Sequence, residues 1–318
     1  MTGKERFIKA LKREPITGHV PHFELVFYLT METLGKLHPE HRSLHQWKQM
    51  STIEKELQLQ DAASCFIDIA KKYDHSAIFV HPTLNDSDYV KRLLEIIRER
   101  TGDEYFLMMH GDPTYSIPDG NNMLSFTERM YEDEDGLKDE AARNVERTLE
   151  TAKRMAGWGG LLDGYALCSD YCLNANPFFT QEQFGVFVEP YLKEAIDGFR
   201  ELGFYTIKHS DGNIMPILDQ MLACGPDAFH SLDPQGGIDL KYMKEYCGDR
   251  VCLIGNVNCG LLQTGTEEEI REDILRSLRD GMPGYGYVFS TSNCVYTGLA
   301  LKRYDLMYSL WREHGEYK

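Results

Sequence analysis

The chain lacks any long run of apolar residues. No window of about 18 uninterrupted apolar residues, the length needed by a membrane-spanning helix, occurs in it. Its opening segment, MTGKERFIKALKREP, is amphipathic and charged and lacks the apolar stretch of a signal peptide. We therefore expect a cytoplasmic protein without a membrane partner.

Positive charge is also scarce. Lys and Arg number 34 against 50 Asp and Glu, which gives a formal net charge of -16. A field of this sign repels the phosphates of nucleic acids and, less strongly, disfavours a substrate that carries many carboxylates. We expect no nucleic-acid partner.

Linkers and low-complexity segments are absent too, so nothing marks a domain boundary within residues 1–318. With 42% hydrophobic and 26% charged residues, the chain has an ordinary globular composition. Its 8 cysteines are dilute, which favours thiols over a disulfide framework. A single domain with one large core is expected.

What the sequence does contain is a regular alternation of short apolar runs with amphipathic segments. The apolar runs predict eight strands, at His22–Phe27, Ser76–His81, Tyr105–His110, Leu161–Leu167, Phe204–His209, Asp227–Leu232, Val251–Gly255 and Gly286–Ser290. Helical periodicity covers Leu57–Tyr73, Asp88–Arg100, Gly136–Ala156, Thr180–Glu201, Asn213–Ala223, Leu240–Tyr246, Thr266–Arg279 and Ala300–His314.

Eight strands that alternate with helices predict an α/β protein, a single (β/α)8 TIM barrel. Gaps of about 48 and about 50 residues after strands one and three predict elaborated loops over the barrel mouth. A doubly wound open sheet is the alternative, but the Gly-rich first turn that is typical of it is absent.

Polar side chains stand at the carboxyl ends of the predicted strands, where a barrel builds its active site. They are His81, His110 with Asp112, Cys168 with Asp170, His209 with Asp211, His230 with Asp233, Asn256 with Asn258, and Asn293 with Cys294. Aromatic residues of the neighbouring loops, among them Phe27, Tyr171 and Phe178, suit an apolar substrate pocket beside His81, His110, His230, Asn256 and Asn293. This distribution predicts an enzyme.

The sharpest motif is His209-Ser-Asp-Gly-Asn. His209 and Asp211 are spaced i, i+2 and can therefore serve one site, and Cys294 can reach it from the end of strand eight. Zn²⁺ binds imidazole, carboxylate and thiolate at about 2.0 to 2.3 Å, and a catalytic zinc keeps one position open. The residues alone leave two interpretations: a zinc site, or a hydrogen-bonded His–Asp pair beside an inert cysteine.

A series of motifs along essentially the whole chain resembles the uroporphyrinogen decarboxylase superfamily, which also contains corrinoid-dependent methyltransferases. The motifs are Lys4-Glu-Arg-Phe-Ile-Lys-Ala-Leu-Lys-Arg-Glu-Pro, Val20-Pro-His-Phe-Glu, Pro177-Phe-Phe-Thr-Gln-Glu-Gln-Phe, Pro190-Tyr-Leu-Lys, His209-Ser-Asp-Gly-Asn, Ile254-Gly-Asn, Gly265-Thr-Glu-Glu-Glu-Ile and Gly286-Tyr-Val-Phe-Ser. The resemblance implies a (β/α)8 barrel, in agreement with the strand count, and a homodimer, which is common in the family.

The decarboxylases of this superfamily carry an Arg-rich segment after strand one, an Asp after strand two and a His after strand eight. Here the corresponding segments are Val26-Phe-Tyr-Leu-Thr-Met, Ile78-Phe-Val-His-Pro and Asn293-Cys294. Together with the charge of -16, these departures make a cofactor-free decarboxylase the less favoured alternative. A barrel that only binds a ligand, without catalysis, is a further alternative.

The methyltransferase branch resembles zinc enzymes with a His-x-Cys pair after strand five and a Cys after strand eight. His209 and Cys294 match this pattern, and Asp211 stands where the family has Cys. A carboxylate in place of a thiolate makes zinc a harder Lewis acid, which suits an oxygen leaving group. The resemblance thus implies an O-demethylase-like enzyme that transfers a methyl group between a methoxylated aromatic compound and the cobalamin cobalt of a separate corrinoid protein.

Two further carboxylates are candidates for this chemistry. Glu24, on strand one, is a candidate zinc ligand or proton donor, and a buried or outward-facing carboxylate is the alternative. Asp170, after strand four, is a candidate to bind the substrate or to orient a zinc ligand.

Overall fold

A parallel sheet surrounded by helices forms the body of the protein in the computed structural model, which describes residues 1–317. The strands are β1 (Gly18–His19), β2 (Ala77–Phe79), β3 (Phe106–His110), β4 (Gly164–Leu167), β5 (Tyr205–His209), β6 (Ala228–His230), β7 (Cys252–Ile254), β8 (Tyr287–Val288) and β9 (Glu316–Tyr317). Strands β2 to β8 form one curled, seven-stranded parallel sheet in chain order, and β1 pairs with β9 in a separate antiparallel ribbon. The fold is α/β and TIM-barrel-like.

Helices connect the strands. They are α1 (Gly3–Leu11), α2 (Thr30–Leu34), α3 (Thr52–Lys72), α4 (Ser87–Thr101), α5 (Met123–Glu132), α6 (Glu134–Ala156), α7 (Gln181–Phe187), α8 (Glu189–Glu201), α9 (Leu218–Ala223), α10 (Leu240–Cys247), α11 (Cys259–Thr264), α12 (Glu267–Gly281) and α13 (Leu301–His314). Short 3₁₀ helices occur at Pro39–His41, Trp47–Gln49, Met215–Ile217 and Pro234–Gly236. In residues 1–317, none of the helices combines the length and apolar character required to cross a membrane.

Seven of the eight predicted strands are present, and the first is the exception. Instead of a regular strand at His22–Phe27, the chain makes isolated parallel bridges in which His22 pairs with His75 on one side and with Phe289 on the other. The carboxylate of Glu24, rather than a backbone carbonyl, accepts the N–H of Thr291 at 3.2 Å. The segment therefore touches both ends of the sheet without a continuous ladder.

One predicted helix is divided in two. The periodicity over Thr180–Glu201 predicts a single helix, but α7 ends at Phe187 and α8 begins at Glu189. Pro190 lies in the first turn of α8, where its missing N–H is tolerated, whereas inside a continuous helix its ring would clash with the preceding turn. The break follows from this proline.

Alternate residues of each strand belong to two different apolar clusters. Ala77, Phe79, Phe106, Met108, Ala166, Ile207, Ala228, Cys252, Ile254 and Val288 form an inner cluster, together with Phe7 of α1 and Phe23. The residues between them pack outward against the helices. Side chains of a strand alternate between its two faces. A residue that continues the inner register past the end of a strand therefore points into the barrel mouth.

Lys208 occupies the outer register of β5 and is fully buried. Its Nζ donates to Oδ2 of Asp112 at 2.8 Å and to the carbonyls of Leu167 at 3.1 Å and Ser169 at 2.8 Å. The side chain of Asp112 is equally inaccessible to solvent. The pair thus connects β5 with the segments that follow β3 and β4.

Asp112 organises the same segments through its remaining hydrogen bonds. Its carboxylate accepts the N–H of Ser169 at 2.9 Å and both the N–H and the hydroxyl of Thr114, at 3.0 and 2.6 Å. The Thr114 hydroxyl also contacts the Tyr171 hydroxyl at 2.7 Å, whereas the two backbone N–H groups would lack a partner in this water-poor environment without Asp112. The buried ion pair therefore fixes the backbone immediately before Asp170.

We predict that Lys208→Met lowers the free energy of unfolding by about 3–5 kcal/mol, because Asp112 would remain buried without its counter-charge. Urea denaturation followed by circular dichroism measures the change. The matched control is Lys193→Met, which removes an exposed ion pair with Asp197 and should change the free energy of unfolding by less than about 1 kcal/mol. Equal losses of unfolding free energy in Lys208→Met and Lys193→Met would contradict the stabilising role of the buried ion pair.

The effect of Lys208→Met on the free energy of unfolding should depend on pH. Burial raises the pKa of Asp112, but the charge and hydrogen bond of Lys208 outweigh burial, and the net pKa lies below its ordinary value. This stabilisation is therefore present above the unfolded pKa of about 3.9 and is lost as the pH falls through the folded pKa. Without Lys208, the buried carboxyl of Asp112 takes up a proton at a higher pH, so the difference in unfolding free energy between wild type and Lys208→Met should narrow between pH 7 and pH 3.

Candidate metal centre

The two histidines at the ends of β5 and β6 are direct neighbours in the sheet. His209 pairs in register with His230, and the two Nδ1 atoms lie 2.7 Å apart, so one nitrogen donates and the other accepts. Burial, and then the neighbouring His209, hold the pKa of His230 well below its ordinary value. With Nδ1 engaged in this way, Nε2 of His209 is available for another interaction.

That nitrogen faces two carboxylates. Nε2 of His209 lies 3.6 Å from Oδ1 of Asp170 and 3.7 Å from Oδ1 of Asp211. These separations exceed a hydrogen bond, and one ligand atom from each of the three residues lies within 4.8 Å of the others. The three side chains form a group that can hold a metal ion, which we call the His209 cluster.

Hydrogen bonds from within the cluster and from outside it orient the two carboxylates. Oδ1 of Asp170 accepts the N–H of Asp211 at 2.9 Å. Oδ1 of Asp211 accepts the Ser231 hydroxyl at 2.8 Å, and its Oδ2 accepts from the side-chain amide of Asn293. Such outer contacts are what hold metal ligands in place in proteins.

The electrostatics of the cluster favour a cation. Burial, together with the negative charges of Asp170 and Asp233, raises the pKa of Asp211, although His209 opposes this shift. Among residues 1–317, no Lys or Arg forms an ion pair with Asp170 or Asp211. A bound cation would supply the missing positive charge.

Glu24 does not join the His209 cluster. It is buried, and its Oε2 accepts from the hydroxyls of Thr291 at 2.5 Å and Ser290 at 3.3 Å. Its Oε1 accepts the Tyr304 hydroxyl at 3.2 Å and lies 3.4 Å from Nε2 of His22. The structure thus places this predicted ligand in a separate, closed network that connects the first segment with the region after β8.

Cys294 follows Asn293, whose amide contacts Asp211, but it is outside the three-residue group. All 8 cysteines, which fall within residues 1–317, are unpaired thiols. Burial, together with the charges of Asp211, Glu24 and Glu40, raises the pKa of Cys294 to about 11. The thiol is therefore protonated at neutral pH.

The remaining predicted pocket residues fall into two groups. Phe27 and Tyr171 are buried, Phe178 packs on the core, and the side chain of Asn256 is bonded to Leu232 and Arg276. The second group lies at or just beyond the ends of strands and comprises His81, His110, His230 and Asn293. Of these residues, His230 contacts His209 and Asn293 contacts Asp211.

Sequence reasoning named Asp170 as a residue that binds the substrate or orients a ligand, and its own oxygen lies in the three-residue group. Two contributors were missed. Ser231, which immediately follows His230, orients Asp211. Lys208 stands in an otherwise apolar strand next to His209, and that unusual position was the available signal for a buried ion pair.

The fold and the cluster together define a class: a TIM-barrel-like α/β protein with a His–Asp–Asp group at the carboxyl end of its sheet. A family model described as uroporphyrinogen decarboxylase (URO-D) matches residues 123–314. The chain belongs to the uroporphyrinogen decarboxylase family. No curated sequence matches it.

The fold is shared with a solved methyltransferase structure. A methyltransferase from Methanosarcina mazei superposes with a TM-score of 0.74 at 19% sequence identity, covering 98% of this chain and 99% of that one. A sugar phosphate isomerase/epimerase from Parabacteroides distasonis gives a TM-score of 0.44 at 13% identity, covering 81% and 91% of the two chains. The first similarity supports the fold along nearly the whole length.

We predict that Asp170→Asn lowers the pKa of Asp211 in chelator-treated protein, because it removes a negative charge next to a buried carboxylate. Carbon-13 NMR of the carboxyl groups measures the titration. Asp249→Asn is the matched control, since Asp249 is on the surface with a side chain that is 86% exposed. An unchanged titration of Asp211 in Asp170→Asn would show that the two carboxylates do not interact.

Proposed function

We propose that this chain is a zinc-dependent methyltransferase that moves a methyl group between a methoxylated aromatic compound and the cobalt of a separate corrinoid protein. The observation that carries the proposal is the His209 cluster, three ligand atoms within 4.8 Å at the carboxyl end of the sheet. Family membership and the fold of the Methanosarcina mazei methyltransferase support it.

The donor set fits zinc. Imidazole and carboxylate are both zinc ligands, and three protein ligands with one position open are typical of a catalytic site. His209 would bind through Nε2, because Nδ1 is hydrogen-bonded to His230, and Asp170 and Asp211 would each supply an oxygen. Two carboxylates make this set richer in oxygen than the His-x-Cys pattern of related methyltransferases.

That composition favours an oxygen-containing substrate. A zinc ion held by oxygen and nitrogen supplies a hard Lewis acid, which eases the departure of an alkoxide or a phenoxide from its methyl group. The chain's own residues prepare the site: Ser231 and Asn293 hold Asp211, and His230 fixes the ring orientation of His209. The corrinoid protein would bring the cobalt nucleophile to the barrel mouth.

We expect about one zinc per chain by elemental analysis, and loss of that zinc in His209→Ala, Asp170→Asn and Asp211→Asn. Glu24→Gln should retain it, because Glu24 is engaged in its own hydrogen-bond network. Asp249→Asn is the matched surface control. Cys294→Ser decides whether the thiol is a fourth ligand, as the sequence predicts.

Zinc retained in all three cluster variants would disprove this assignment. Zinc lost in Glu24→Gln but not in Asp170→Asn would instead favour the ligand set predicted from the sequence.

Activity is tested with free cob(I)alamin as the methyl acceptor and a panel of methoxylated aromatic compounds as donors. We expect the absorbance of methylcobalamin to appear with zinc-loaded wild type, and His209→Ala to slow its formation by about 100-fold or more, because several kcal/mol of Lewis-acid stabilisation would be lost. No methylcobalamin with any donor would reject this substrate class. Release of CO2 from a porphyrinogen by zinc-free protein would identify a decarboxylase.

A further inference from the structure

A second group of titratable side chains lies at the barrel mouth, outside the His209 cluster. Oε2 of Glu40 accepts the Tyr28 hydroxyl at 2.6 Å and lies 2.9 Å from Nδ1 of His81. Glu40 belongs to the 3₁₀ helix Pro39–His41 in the long first connection, whereas His81 follows β2. We call Tyr28, Glu40 and His81 the Glu40 cluster.

The register of β2 directs His81 toward the barrel interior. Ala77 and Phe79 belong to the inner apolar cluster, and Val80 still donates its N–H across the ladder to Met108 at 2.8 Å. His81, two residues beyond Phe79, therefore continues the inner face. Its ring centroid lies 4.2 Å from that of Phe79.

His209 enters the mouth by the same geometry. It stands two residues beyond Ile207, which also belongs to the inner apolar cluster, at the end of β5. His81 and His209 thus project from the ends of two strands of one curled sheet. Asn293, which follows β8, contacts Asp211 of the His209 cluster through its side-chain amide.

The two nitrogens of His81 are in different situations. Nδ1 faces Glu40, whereas Nε2 is buried and has no hydrogen-bond partner among residues 1–317. A buried polar atom without a partner costs free energy and is rare unless a ligand or a water satisfies it. An imidazole oriented by a carboxylate, with its other nitrogen available, is the arrangement that enzymes use for proton transfer.

The charges around His81 suit a proton donor. The hydrogen bond from His81 lowers the pKa of Glu40 to about 2, although burial opposes this shift, so the carboxylate is ionised at neutral pH. Burial lowers the pKa of His38, one of the two imidazoles that pack on Tyr28, to about 3, so that ring is neutral. Burial and Glu40 raise the pKa of Tyr28, which is therefore also neutral. Glu40 is thus the charged partner of His81.

We propose that His81 is a catalytic general acid that delivers a proton from Nε2 to the leaving oxygen, while Glu40 orients its ring through Nδ1. This inference rests on the proposed methyl transfer. As the carbon–cobalt bond forms, the methyl carbon–oxygen bond breaks and its electron pair remains on the oxygen. The oxygen takes the Nε2 proton, which leaves a neutral imidazole and a free phenol, and solvent returns the proton to Nε2.

The test compares His81→Asn with wild type on methoxybenzenes whose para substituents vary the acidity of the leaving phenol, with cob(I)alamin as acceptor. A proton donor matters most for a poor leaving group. We therefore expect a loss of about 10²–10⁴-fold for anisole and 4-methylanisole and a much smaller loss for 4-nitroanisole. Glu40→Gln should show the same trend with a smaller amplitude, because the acid would remain but lose its orientation.

His314→Asn is the matched control, since His314 is an exposed histidine in the last turn of α13, away from every strand end. It should show no dependence on the leaving group. A loss in His81→Asn that is equal for all substrates, or no loss at all, would overturn the proposal. Zinc content and thermal unfolding of each variant exclude loss of the metal or of the fold as the cause.

Failure of the proposed function is recognised separately. If wild type forms no methylcobalamin from any substrate, the methyltransferase assignment fails and the role of His81 in it fails as well. Nitrogen-15 NMR of the imidazoles tests the geometry without turnover: the proton of neutral His81 should reside on Nδ1, and its signal should shift in Glu40→Gln. A proton on Nε2 in the neutral ring would overturn the Glu40–His81 orientation even in an active enzyme.

Discussion

The buried ion pair between Lys208 and Asp112 is the constraint on which the candidate site depends. A charged pair is costly to bury, and it persists here because every polar atom around it is satisfied, including the N–H of Ser169. The side chains of β5 alternate between its two faces. Lys208 therefore lies in the outer layer, whereas His209 points into the barrel mouth. The segment that Asp112 fixes leads directly to Asp170, which accepts the N–H of Asp211. Stability and site geometry are thus coupled through consecutive residues.

Parallel pairing supplies the second level of order. The register that places His209 opposite His230 also brings the two rings within hydrogen-bond distance, so the orientation of one imidazole is set by the sheet. Loops then add the oxygen atoms, and these are less constrained than strand residues. Their hydrogen bonds to Ser231 and Asn293 compensate for that freedom. The site combines a rigid nitrogen ligand with carboxylates held by neighbours.

Much of this could be predicted from the sequence, because strand ends carry a local signal. Apolar runs located seven strands, and the polar residues at or just after their ends include the His209–Asp211 motif. Contacts between distant segments carry no such signal. Glu24 is on the predicted strand, but it takes hydrogen bonds from Thr291 and Tyr304 more than 260 residues away, which no spacing rule reveals. Glu40 was missed for the same reason, since only folding of the long first connection brings it to His81.

The distribution of charge connects the two clusters at the mouth. Asp170, Asp211 and Glu40 all contribute negative charge there, on a chain whose net charge is already -16. Such a field attracts a metal cation and a protonated imidazole and repels a substrate with several carboxylates. A neutral methyl ether meets no such penalty, and breaking its carbon–oxygen bond requires stabilisation of the negative charge that develops on oxygen. A Lewis acid at the His209 cluster and a proton at His81 would both act on that oxygen atom. The negative charge of the barrel mouth is therefore consistent with two clusters that serve one reaction.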